Sequence, residues 1–99
     1  MAVFAVTYRY VEDPDLLNRH RVAHRAYLGS LVGEGGLVAS GPMNGGPDAS
    51  ALLIFDAEST GAIEAALDAD PFWTEGLISS REIREWTVVL GSIGPSSGR

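Results

Sequence analysis

The run from Ala2 to Tyr10, mostly apolar and rich in β-branched and aromatic residues, predicts a first strand with Phe4, Val6 and Tyr8 on one face and Val3, Ala5 and Thr7 on the other. Asp13-Pro14-Asp15 then changes the pattern. Asp13 suits an N-cap, Pro14 the first helical position and Asp15 the first turn, so a helix begins here. It runs to about Val32 and stops at Gly33-Glu34-Gly35-Gly36. At about 100° per residue, His24 falls in the centre of the apolar stripe of this helix. Leu17, Leu28 and Leu31 flank it, His20 and Tyr27 lie at the margin, and Val22 points the other way. An ionisable ring in that position costs desolvation unless something pairs with it.

A short second strand, Gly36 to Ser40, is expected to close at Gly41-Pro42. A loop from Pro42 to Asp48 follows, with Asn44-Gly45-Gly46-Pro47 as its turn. The third strand, Ser50 to Asp56, is apolar without a break at its centre. Ser59 or Thr60 caps a second helix that ends at Asp70-Pro71, with Ile63, Ala66 and Leu67 inward. A helical turn over Pro71 to Glu75 leads to Gly76, and the last strand is expected from about Arg81 to Leu90. The expected domain is residues 1–91, with 92–99 as a flexible tail.

The order strand, helix, strand, strand, helix, strand predicts an α+β ferredoxin-like fold, a four-stranded antiparallel sheet with both helices on one face. Strands with one wet face should alternate cleanly, yet the first, third and fourth carry apolar residues on both faces. Two helices cover one face only. A second copy of the sheet is the simplest cover for the other, which predicts a homodimer joined face to face.

Composition narrows the chemistry. The 99 residues contain no cysteine, so disulfides, thiolate metal sites and thiol nucleophiles are absent. The basic residues are seven arginines and no lysine, against 13 acids, for a net charge of −6. That balance disfavours nucleic-acid binding, and without lysine no side-chain Schiff base forms. No apolar run is long enough to span a membrane and no signal peptide is evident, so a cytoplasmic location is the default.

With these elements placed, the chain resembles the YCII-related (YciI-like) family of the dimeric α/β-barrel superfamily. The matching residues are Arg21-x-x-His24 followed by Tyr27-Leu28, then Gly36-Leu37, Gly41-Pro42, Asp70-Pro71-Phe72, Gly76-Leu77, and Ile83 to Trp86. They cover nearly the whole chain up to about Leu90. The resemblance implies a ferredoxin-like fold, a dimer, and a pocket centred on a histidine and an aspartate, here His24 and Asp70. One relative looks like a dehydrochlorinase of a chlorinated hydroxyquinol, and muconolactone isomerases share the superfamily fold. Both imply proton transfer on small oxygenated rings. Two features depart from the family pattern: Arg25 stands where relatives often have leucine, and the approach to the third strand is short.

A carboxylate beside His24 would fix its tautomer and favour the protonated ring, while burial acts the other way. Plainer roles exist for both residues. His24 also fits a core histidine satisfied by a backbone carbonyl, and Asp70 an ordinary cap before Pro71. His20 and His24 are spaced for a shared metal, but no third ligand sits at matching spacing, so no metal is expected. Arg21, about 60° from the stripe centre, is placed to hold a carboxylate or phenolate; a solvated arginine is the alternative. Ser40 and Gly41 end a strand that would line the pocket, and Phe72 could stack on a planar ligand. Ser40 lacks the surroundings of a nucleophile. Gly33 to Gly36 follow a helix, whereas a phosphate cradle opens one.

These readings converge on a cofactor-independent lyase or isomerase acting on a small aromatic or keto-acid substrate, with His24 and Asp70 catalytic and Arg21, Ser40, Gly41 and Phe72 binding. A dimeric module that binds a small ligand without turnover, or an accessory protein, fits the same pattern.

Overall fold

A computed structural model describes residues 2–46 and 49–93. Four strands and three helices follow in the order β1 (Ala2–Tyr10), α1 (Pro14–Leu31), β2 (Leu37–Met43), β3 (Ser50–Ala57), α2 (Thr60–Leu67), α3 (Pro71–Thr74) and β4 (Ile78–Glu85). The sheet order is β2-β3-β1-β4, and every pairing is antiparallel. This is the ferredoxin-like α+β fold.

Local chemistry sets the helix ends. The Asp13 side chain accepts the Leu16 N–H at 3.2 Å, and Pro14 occupies the first turn, where its missing N–H has no consequence. At the other end Gly33 takes φ +84°. Gly36, at φ +91°, passes so close to β3 that a Cβ there would lie 2.8 Å from the Asp56 carbonyl oxygen. Only glycine fits that approach. Ser59 caps α2 by accepting the Ala62 N–H at 3.1 Å.

The core forms where one face of the sheet meets the helices. Phe4, Val6 and Tyr8 of β1 pair with Phe55, Leu53 and Ala51 of β3, and all six are buried. Leu17 and Leu28 of α1 and Ile63 and Leu67 of α2 pack into the same cluster. Each fully buried aliphatic side chain contributes about 1.5–3 kcal/mol. The opposite face carries Ile54, buried apart from that cluster, with Val3, Ala5, Thr7 and Leu52 half-buried.

Two expected strand boundaries move. β2 does not close at Gly41-Pro42; it continues to Met43, with Gly41 opposite Leu52 and Pro42 opposite Ala51. β2 is an edge strand, where proline is tolerated because only one side of the strand must donate. β4 begins at Ile78, three residues early, because Ile78 pairs with Tyr10 across a register shift in β1. It ends at Glu85, with Trp86 N–H still reaching the Val3 carbonyl at 2.8 Å. Val89 and Leu90, expected in the strand, are 82% and 91% exposed. Their apolar sequence finds no neighbouring strand among the described residues of the protomer. The turn at Pro47, the loop end at Asp48 and the tail from residue 94 lie outside the described residues.

Candidate active site

Three elements meet around the His24 ring. α1 delivers His24, 7% exposed, from the face that packs against α3. Asp70, fully buried, precedes α3, and Phe72 lies in its first turn. The His24 Nδ1–H donates to the Asp70 carboxylate, 2.8 Å from Oδ1 and 3.0 Å from Oδ2. Asp70 Oδ1 also accepts the Phe72 N–H at 2.9 Å, and the Asp70 carbonyl accepts the N–H groups of Trp73 and Thr74. Asp70 is thus both helix cap and histidine partner. The two roles weighed for it in the sequence are served by one carboxylate.

A carboxylate only accepts hydrogen bonds, so the hydrogen on this contact belongs to Nδ1. In the neutral ring the lone pair then sits on Nε2, which makes no hydrogen bond among the described residues. Phe72 lies parallel to the imidazole, with ring centroids 3.8 Å apart at 4°. Tyr10 meets Phe72 edge-on at 5.5 Å. Phe72 is 2% exposed and one of its faces is taken by His24. That face of Phe72 therefore supports the imidazole.

His24 lines a cleft of about 600 Å³ between α1 and the β2–β3 edge. That volume suits a small organic ligand. Arg21, Ser40, Gly41 and Phe72 line it as expected. Tyr10, Arg25, Asn44 and Ser50 also line it and were not among the expected site residues. For Arg25 a signal existed: it lies one helical turn beyond Arg21. The positions of Asn44 and Ser50 depend on strand pairing, which has no local signature.

Burial pushes the Tyr8 phenol well above its ordinary range, and the nearby Asp70 charge adds to this. Tyr10 is raised for the same two reasons, with Arg21 and Arg25 pulling it back. The Tyr8 hydroxyl and Arg81 Nη1 are buried without a geometrically sound hydrogen bond, although Arg81 is near enough to favour the phenolate. Arg81 Nη2 donates to Asp68 at 2.9 Å, and its guanidinium stacks on Trp73 at 3.8 Å. His20 is not among the residues lining the cleft, and its Nε2 lies 4.0 Å from Glu75 Oε1. Among the described residues no three histidine or acidic side chains converge as a metal site would require. No helix among them is long and apolar enough to cross a membrane.

The four-stranded antiparallel sheet with its helices makes this a small ferredoxin-like α+β protein. The chain belongs to the YCII-related domain family, whose model matches residues 2–87. No curated protein sequence matches it. Among solved structures, it resembles the 5-chloro-2-hydroxyhydroquinone dehydrochlorinase TftG of Burkholderia phenoliruptrix, in complex with 2,5-dihydroxybenzoquinone. The identity is 22%, over 86% of this chain and 93% of that one, with a TM-score of 0.73. Protein Atu4242 of Agrobacterium tumefaciens is 23% identical over 90% and 94% of the two chains, with a TM-score of 0.56. The cofactor-independent oxygenase SnoaB of Streptomyces nogalater is 13% identical over 91% and 94%, with a TM-score of 0.54. At these identities the likeness establishes the fold.

Proposed function

We propose that the protein is a cofactor-independent lyase or isomerase that moves a proton on a small oxygenated substrate, an aromatic or a keto acid. The observation that carries this reading is the His24–Asp70 contact. It commits Nδ1 to a buried carboxylate and leaves Nε2 of a cleft-lining ring without a partner among the described residues. Small-molecule enzyme chemistry on this fold is supported by the dehydrochlorinase, whose structure holds a dihydroxybenzoquinone.

In this reading the Nε2 lone pair removes a proton from a substrate hydroxyl or from carbon beside a carbonyl. The imidazolium that forms lies against the Asp70 carboxylate, which stabilises it. Arg21 offsets the charge left on the substrate oxygen, and the Ser40 hydroxyl and the Gly41 backbone shape the opposite wall. Return of the proton to a second carbon gives isomerisation. Departure of a leaving group with its electron pair gives elimination. Neither route calls for a cofactor or a metal.

The proposal includes a homodimer in the cytoplasm, with small molecules rather than nucleic acid or membranes as partners. The apolar side chains of Val3, Leu52 and Ile54 on the sheet face away from the main core support the dimer.

The test is a thermal-shift screen of small aromatic and keto acids against the native protein and His24→Gln, followed by incubation of the hits in deuterium oxide. Wash-in of deuterium or formation of product by the native protein, lost in His24→Gln, is expected. Stabilising ligands that neither exchange nor react at any pH would overturn the enzymatic reading and leave a binding module.

A further inference from the structure

The cleft carries a charge pattern of which the proton-transfer reading uses only Arg21. Arg21 and Arg25 stand one helical turn apart on α1, about 60° and 100° round the helix from His24 and on the same side of it. Both line the cleft. Neither makes an ion pair or hydrogen bond among the described residues. Like charges at this spacing destabilise a helix, so the pair is unfavourable until an anion lies between them. Its surroundings supply none. The facing polar groups are the Ser40 hydroxyl, the Asn44 amide, the Ser50 hydroxyl and the Tyr10 phenol, and no described lining residue is acidic. Asp70 lies behind the imidazole and is already occupied by it.

The chain has 13 acids to seven arginines, yet no described acid lines this cleft. Arg81, by contrast, is held by Asp68 and Trp73. Two unpaired guanidiniums at one wall of a cleft of about 600 Å³ form a fork for a planar anion. Tyr10 senses both arginines, which places them around the same end of the cleft.

We propose that the cleft selects a substrate bearing a carboxylate, gripped between Arg21 and Arg25, and that Arg25 is a specificity-determining residue. This rests on the cleft being the substrate site and deepens that reading: the carboxylate docks at the arginine wall, and the reacting hydroxyl or carbon extends toward His24 Nε2.

Matched acid and amide pairs test it, since an amide keeps the shape and loses the charge: benzoate with benzamide, and 2,5-dihydroxybenzoate with its amide. Binding is measured by NMR titration of the full chain, native and as Arg25→Gln, Arg25→Lys and Arg21→Gln. At least one acid is expected to bind about tenfold more tightly than its amide, with affinity falling as salt rises. Arg25→Gln should remove most of that preference and leave the amide unchanged, and Arg25→Lys should restore it in part. A merely structural role for Arg25 would change acid and amide alike. Equal binding of acid and amide, or no acid binding up to about 10 mM, overturns the proposal. Acid preference lost in Arg25→Gln, with no deuterium exchange at any pH, sustains the carboxylate site and overturns the enzymatic reading instead. Exchange on the amides as fast as on the acids does the reverse.

Discussion

The imidazole of His24 and the ring of Phe72 lie parallel, 3.8 Å apart, and are joined a second time through Asp70. The carboxylate that accepts His24 Nδ1–H also accepts the Phe72 N–H and starts the helix that carries Phe72. The plane of the imidazole and the identity of its free nitrogen are therefore set by one short segment, Asp70-Pro71-Phe72.

Asparagine and alanine at position 70 should part the two roles of that carboxylate. Asparagine keeps an oxygen for both N–H donors and remains a good cap, so Asp70→Asn should lose about 1 kcal/mol of stability. Asp70→Ala removes the cap and strands the buried Nδ1–H, and should lose about 3–5 kcal/mol in urea unfolding. Both should lower proton exchange on a bound substrate about 100-fold or more, because neither can stabilise the imidazolium.

Tyr8 and Tyr10 make stability sensitive to high pH. Their phenols are raised in the folded state above the ordinary value of 10.0. Their contribution is therefore fully present below pH 10 and is lost as pH rises towards the folded values. Tyr8, fully buried, adds a slope of about 1.4 kcal/mol per pH unit in that window, and the more exposed Tyr10 adds less. Unfolding free energy measured from pH 8 to 11.5 should fall above about pH 10. Tyr8→Phe, which deletes a buried hydroxyl lacking a partner, should flatten the fall and change neutral-pH stability by less than about 1 kcal/mol.

Gly29 sits within α1 on the cleft wall, with nothing within 4 Å of a Cβ placed there. Gly29→Ala should raise stability by about 0.5–1 kcal/mol through helix propensity. The added methyl group enters the cleft, so ligand affinity should fall while Tm rises. A variant that is more stable and binds as before would show that ligands do not reach this wall.

Sedimentation at micromolar concentration should show a dimer, and Leu52→Arg, on the sheet face away from the main core, should yield monomers that keep the α1–α3 packing. A native monomer would remove the support drawn from the two-faced strands.

Local signals in the sequence were enough to predict β1, α1 and the cap at Asp13, and to narrow the second cap to Ser59 or Thr60, because each depends on neighbours within a few residues. β4 was displaced because its start depends on Tyr10 across a register shift, 68 residues away in sequence. The place of His24 in the stripe follows from helical period alone. Its partner does not: Asp70 lies 46 residues on, and its local signature is that of a cap, so the pairing came only from the family resemblance. Arg25 lies far enough round the helix to look like solvent-facing charge until β2 and β3 build the opposite wall.

Because one carboxylate closes a backbone turn and also seizes a ring from the first helix, His24 has no special chemistry in a chain that has not yet docked its third helix. Assembly of the domain and fixing of the imidazole are thus a single event, and partial unfolding of the Pro71–Thr74 turn would release the ring while most of the sheet still stood.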